Sequence, residues 1–117
     1  MRSDEVCLRE MLAAAEQLLI LLDKTEAERL LHEDREFTHS VFFEFVVIGE
    51  EVSRLSDELR LRHPGKIGAF RNRIAHGYFE LSLPIVWQLW TDEVPQLREQ
   101  LLAVLLAEFP VRADRSE

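Results

Sequence analysis

Cysteine is almost missing from this chain. Cys7 stands alone, so no intrachain disulfide can form. That excludes the small disulfide-framework proteins and suits a reducing compartment. Glycine and proline are scarce, four of each, which excludes collagen-like and Pro/Gly-rich disordered classes. Long apolar runs are missing too. The longest, 101–107, holds seven residues, against the roughly 18 that suggest a membrane span. The opening Met1-Arg2-Ser3-Asp4-Glu5 is charged, with no signal-peptide-like apolar stretch behind it, so a cytoplasmic location is expected. Positive charge is in deficit as well, the formal net charge being −8. Such a balance disfavours whole-surface binding to nucleic acid but leaves room for a focused basic site.

What is present fits one soluble globular domain. The chain has 117 residues, 47% apolar and 31% charged, enough to bury a core without metal or disulfides. No repeat, low-complexity tract or linker divides it. Residues 1–110 are expected to form a single helical domain, and 111–117 a polar, frayed tail.

Strand-like alternation is hard to find, whereas apolar residues recur at helical spacing. A first helix is predicted over about 3–22, with Ser3 as N-cap and Asp4 and Glu5 in the dipole-favoured first turn. Leu8, Met11, Leu12, Ala15, Leu18, Leu19 and Leu22 make its core stripe. Thr25-Glu26-Ala27-Glu28 has the capping-box pattern of a second, short helix ending by His32 or Glu33. A third is predicted over about 34–55. Its apolar face (Phe37, Val41, Phe42, Phe45, Val46, Ile48, Gly49, Val52) is broad enough for two surfaces, the core and another subunit. Ser56-Asp57-Glu58 caps a short helix running to about Arg62, which Pro64-Gly65 ends. A further helix carries Ile67 to about His76 and stops at Gly77. The last long helix begins after Ser82, with Pro84 in its first turn. Its stripe is Val86, Trp90, Val94, Leu97, Leu101, Val104 and Leu105, and a kink is expected at Pro95. The fold class is therefore all-α, an up-and-down helical bundle.

One stretch departs from the acidic background. From Leu59 to Phe79 there are five cations (Arg60, Arg62, Lys66, Arg71 and Arg73), two histidines and no carboxylate, so the remainder carries −13. A cationic strip on an acidic body is a candidate phosphate site. Within it, Asn72 and His76 are four apart and share one helix face. Arg71 lies about 140° from His76 at roughly 100° per residue, flanking that face. Gly77 lets the chain turn so that Tyr78 can fold back over the same end.

No second histidine or carboxylate lies nearby at metal-ligand spacing, and there is no Gly-rich phosphate loop, so neither a metal nor a nucleotide cofactor is expected. Without a metal, RNA cleavage is feasible because the 2′-hydroxyl is a built-in nucleophile. An imidazole can take its proton at neutral pH. A guanidinium can hold two phosphate oxygens and stabilise the charge gathering on phosphorus. The plainer reading stands beside this one: a lone Arg and His on a helix are usually surface residues, and His76 beside Gly77 can simply cap its helix.

Arg71-Asn72, followed by His76 and Tyr78, resembles the signature of HepT-type toxins in the HEPN superfamily. The resemblance extends to Val47-Ile48-Gly49-Glu50-Glu51, Leu55-Ser56-Asp57-Glu58-Leu59-Arg60, Arg62-His63-Pro64, Ile85-Val86-Trp87 and Val94-Pro95-Gln96-Leu97. Together these span most of residues 4–108. It implies a HEPN helical bundle, a homodimer open to further assembly, and metal-independent endoribonuclease action. Arg71 and His76 would be the catalytic pair and Asn72 their accessory; from the cationic strip itself, Arg62, Lys66 and Arg73 are expected to contact RNA. The implied partner is a MntA-type nucleotidyltransferase antitoxin that adenylylates Tyr78, the only tyrosine in the chain. A bulky anionic nucleotide there would fill the cationic cleft and repel RNA. The segment between Pro64 and Arg71 is shorter than the family's and lacks its usual tryptophan, which bears on substrate choice. Two other readings stay open: a non-catalytic substrate-binding subunit of a nucleotidyltransferase, and a plain helical oligomerisation module.

The remaining features have plain explanations. Trp87 and Trp90 are expected to pack in the core or an interface rather than stack on bases. His32 and His39 are expected in solvent, and Glu26, Glu28, Glu33, Asp34 and Glu36 on a solvated face. Cys7 is read as a small apolar residue rather than a nucleophile.

Overall fold

A computed structural model describes residues 3–23, 33–64 and 83–110 of the chain, and all regular structure among them is helical. α1 spans Asp4–Asp23, α2 Arg35–Arg54 and α3 Asp57–Arg62. α4 spans Leu83–Gln88 and continues through a π-helical turn, Leu89–Glu93, into α5, Val94–Glu108. α1 packs along both α2 and α5 and also meets the π turn. The result is an all-α helical bundle with α1 at its centre.

Local chemistry sets the helix starts. The Val6 N–H donates to Ser3 Oγ at 3.2 Å, Phe37 N–H to Asp34 Oδ1 at 3.0 Å, and Leu59 N–H to Ser56 Oγ at 3.2 Å. Each bond satisfies an amide that the first turn leaves without an intrahelical partner. Asp34 and Ser56 hold extended backbone, as an N-cap must.

One core fills the space between the helices. Cys7, Leu8, Met11, Ala14, Ala15 and Leu18 of α1 are buried against Val41, Phe45, Ile48 and Val52 of α2. Val86, Leu89, Trp90, Val94, Leu97, Leu101, Val104 and Leu105 close it from the third side. Each large side chain so buried contributes about 1.5–3 kcal/mol of transfer free energy. Cys7 is a packed apolar residue here, as its sequence context suggests.

α2 is only partly covered. Of the broad face read from the sequence, Val46 is 37% exposed, and its neighbour Phe43 is 62% exposed. The breadth belongs to the helix, but its outer margin is not core.

The chain stays helical across Pro95 rather than stopping there, as expected. Pro95 sits in the first turn of α5, where its missing N–H is tolerated. The π turn, Leu89–Glu93, ends two residues before it, and there the Val94 N–H donates to Leu89 O, one residue further back than in an α-helix. The whole stripe from Val86 to Leu105 nevertheless stays buried.

Trp90 fixes this turn on α1. Its indole is fully buried, and Nε1–H donates to Leu18 O at 2.6 Å. Phe37 and Trp87 pack on it with ring centroids at 5.8 and 6.2 Å, Trp87 edge-on at 82°. Trp90 is therefore core, as expected, and cannot offer its face to a base. His39, Glu33, Asp34 and Glu36 lie at the surface as expected. The short helix proposed after Thr25, with His32, falls outside the described residues, as does the 111–117 tail.

Candidate active site

Arg71, Asn72, Arg73, His76, Tyr78 and Lys66 lie outside the described residues. Arg62 is described, and so is the segment leading up to the motif, residues 56–64. That segment is a short helix with three tethers.

The first tether runs to the start of the chain. Asp4 Oδ1 accepts from the Ser56 N–H at 2.8 Å, and Oδ2 from Ser56 Oγ–H at 2.6 Å. The same hydroxyl oxygen caps α3 by accepting from Leu59 N–H. Asp4, read from the sequence as a first-turn acid favoured by the helix dipole, is thus a long-range anchor. Bonds of this kind to a carboxylate contribute about 1.5–3 kcal/mol each where water is partly excluded.

The second tether is Arg60. Its guanidinium donates through Nη2 to Val52 O at 2.7 Å and lies 3.8 Å from Asp57. Val52 O also accepts the Leu55 N–H at the end of α2. A cation on a helix's final carbonyls is stabilising on two counts: here it gives Val52 O a second donor, and it meets the negative end of the dipole.

The third tether joins α3 to the far end of α5. Arg62 forms a two-pronged pair with Glu108: Nε donates to Oε2 at 2.9 Å and Nη2 to Oε1 at 2.8 Å. His63 Nε2 lies 2.7 Å from Glu108 Oε2. The hydrogen bonds from Arg62 and His63 hold the Glu108 carboxyl down at about 2. The bond to Glu108 in turn pushes the Arg62 guanidinium further above its ordinary value, with the charges of Glu58 and Asp4 adding to it. Arg62, expected to contact RNA, is thus engaged within the chain, although its side chain remains 52% exposed.

His63 and Glu108 were not singled out as site residues from the sequence. His63 lies within the acid-free strip, but Glu108 is 45 positions away, and no local pattern connects them. The one local oddity is a carboxylate as the last residue of a helix with no basic residue in its final turn, where the dipole disfavours it.

Two of the five cations in the strip, Arg60 and Arg62, therefore serve the scaffold. Comparison with known proteins bears on the other three and the histidine. The chain matches the family model described as "Ribonuclease HepT-like" over residues 11–104, a stretch that includes Arg71 through Tyr78. It belongs to the HepT-like ribonuclease family. One relative is the protein named "Putative RNase TTE0752" from Caldanaerobacter subterraneus subsp. tengcongensis, 35% identical over 66 residues. That similarity covers 53% of this chain and 59% of the relative, so the chain matches about three fifths of the relative's length. No solved structure matches the chain significantly.

Proposed function

We propose that the chain is a metal-independent endoribonuclease and acts as the toxin of a two-component toxin–antitoxin module. The observation that carries this reading is the family match over residues 11–104, bounds that enclose Arg71, Asn72, His76 and Tyr78. The relative's printed name points to RNA chemistry as well.

In the proposed reaction His76 accepts the proton of a ribose 2′-hydroxyl, whose oxygen attacks the adjacent phosphorus. Arg71 holds the non-bridging oxygens as negative charge gathers on them. The bond from phosphorus to the 5′-oxygen breaks, and that oxygen takes a proton. The products are a 2′,3′-cyclic phosphate and a 5′-hydroxyl. Asn72 orients the imidazole or the phosphate, and Lys66 and Arg73 draw in the RNA backbone. The protein works as a homodimer in the cytoplasm. Its antitoxin is a MntA-type nucleotidyltransferase that moves AMP from ATP to the Tyr78 oxygen, the phenol losing its proton and pyrophosphate leaving, which places an anion where RNA phosphate would bind.

The test is cleavage of a defined RNA in EDTA, with cyclic-phosphate termini read by mass spectrometry. Wild-type protein should cleave. His76→Ala and Arg71→Ala should each lose about 10²-fold or more of the rate, with unchanged helical circular dichroism. Cleavage that survives in both variants overturns the assignment.

A further inference from the structure

Glu108 is out of place as a helix-terminal residue and well placed as a clamp. It ends α5 with its carboxylate at the negative end of the helix dipole. Both of its oxygens turn to α3: Oε1 to Arg62 and Oε2 to Arg62 and His63, all at 2.7–2.9 Å. Its side chain is only 17% exposed. The two residues it holds are the last of α3 and the one after it. Arg71 follows His63 by eight positions, with Pro64 between them. Glu108 also lies beyond residue 104, where the family match ends.

We propose that Glu108 is a positioning residue for the RNA-cleaving reaction. By holding Arg62 and His63 together, it fixes where the chain leaves α3 on its way to Arg71 and His76, and so sets turnover without touching RNA. This rests on the ribonuclease reading above. A six-residue helix does not hold itself in place. Its far end is held by Glu108, and a misplacement of about 1 Å at reacting groups can cost on the order of 10²-fold in rate.

The experiment compares wild type, Glu108→Gln, Glu108→Asp and the swapped pair Arg62→Glu/Glu108→Arg, with Glu99→Gln as control. Glu99 removes the same charge from the same helix, where it pairs with Arg98 at the surface. Cleavage of one defined RNA gives kcat and KM, with kcat scaled to the folded fraction by Trp fluorescence. Glu108→Gln should lower kcat by about 10- to 100-fold and change KM by less than about threefold. Glu99→Gln should match wild type, and the swapped pair should recover only part of kcat, because it rebuilds the 62–108 link with the charges reversed but leaves His63 without its carboxylate. If Glu108→Gln fails to fold, Glu108→Asp, which keeps the charge but loses reach, decides by the same kcat loss. Unchanged kcat in the folded variants overturns the proposal while leaving the nuclease reading intact. So does a fall in KM alone, which would make Glu108 a brake on a free Arg62 cation. A wild-type protein that cleaves nothing is a different result: it overturns the nuclease reading, and this inference with it.

Discussion

Replacing Trp90 with phenylalanine tests whether the π turn is held by packing on α1. The indole is fully buried, and its N–H reaches Leu18 O at 2.6 Å. Leu18 lies inside α1, so its carbonyl keeps an intrahelical donor when the indole leaves, and the lost hydrogen bond costs about 1 kcal/mol. Phenylalanine is smaller by roughly 35–40 Å³. At about 24 cal/mol per Å³ the cavity adds ~1 kcal/mol, and the lost apolar contact contributes ~1 kcal/mol more. Trp90→Phe should therefore destabilise by about 3 kcal/mol, a large share of the 5–15 kcal/mol typical of a domain. In thermal unfolding followed by circular dichroism that is a fall of roughly 10–15 °C for a chain of this length. Trp87 is only partly buried, so Trp87→Phe should cost less than about 1 kcal/mol. Urea titrations of both variants give the comparison directly. A loss below about 1 kcal/mol in Trp90→Phe, or equal losses in the two variants, would refute the packing account of this turn.

Co-expression with an adjacent nucleotidyltransferase should add nucleotidyl mass to the wild-type chain and none to Tyr78→Phe, read by intact mass; adducts kept in Tyr78→Phe would exclude that target. The Glu108 carboxyl lies well below its ordinary 4.5, at about 2. A depressed carboxylate stabilises the fold fully above its unfolded value and loses that contribution as pH falls toward its folded one. The stability gap between wild type and Glu108→Gln should be flat above pH ~4.5 and close between there and pH ~2, measured by urea titration at each pH. Finally, in a His76→Ala background, Lys66→Gln should reduce the salt slope of single-stranded RNA binding by about 0.7, and Arg62→Gln by less than half of that, because Arg62 is already paired. Equal reductions would make Arg62 an RNA contact after all.

Helix starts were legible in the sequence because capping is local. Ser3 and Ser56, read as caps, each meet an amide three residues ahead, and Asp34, read only as the start of its helix, does the same, a spacing that sequence displays directly. The apolar stripes of α1 and of the last helix were legible for the same reason. Features set by distant partners were not. Pro95 announces a missing N–H, but where the ladder absorbs it depends on how Trp90 seats on α1. Val46 belongs to an apolar face, but periodicity does not say which margin of that face is covered. Asp4 and Glu108 each find their partner far along the chain, 52 and 45 positions away. Neither separation leaves a mark in the local pattern. The candidate site was read from Arg71 to Tyr78 as a motif, and the structure adds the frame that stands before it.

That frame changes how the cationic strip works. As a count, the strip offers five equivalent positive charges to an anion. In the fold the charges divide by role. Arg60 closes the end of α2 through Val52 O, and Arg62 closes the gap to α5 through Glu108. Neither contact is made at random, since both hold the short α3 from opposite sides while Asp4 holds its cap. Because α3 is too short to be stable alone, the direction in which the chain sets out toward Arg71 is decided by these tethers and by buried Leu59. On the proposed reading, attraction for phosphate is left to Lys66, Arg71 and Arg73, which lie within eight positions of one another in the sequence and include the proposed catalytic arginine. A narrower cluster concentrates its field where bond breaking is proposed, while the acidic remainder repels RNA elsewhere. The same separation of roles makes residues that hold α3, Asp4 and Glu108 above all, candidates to alter turnover when mutated, whereas losing an exposed charge such as Glu99 should leave it unchanged.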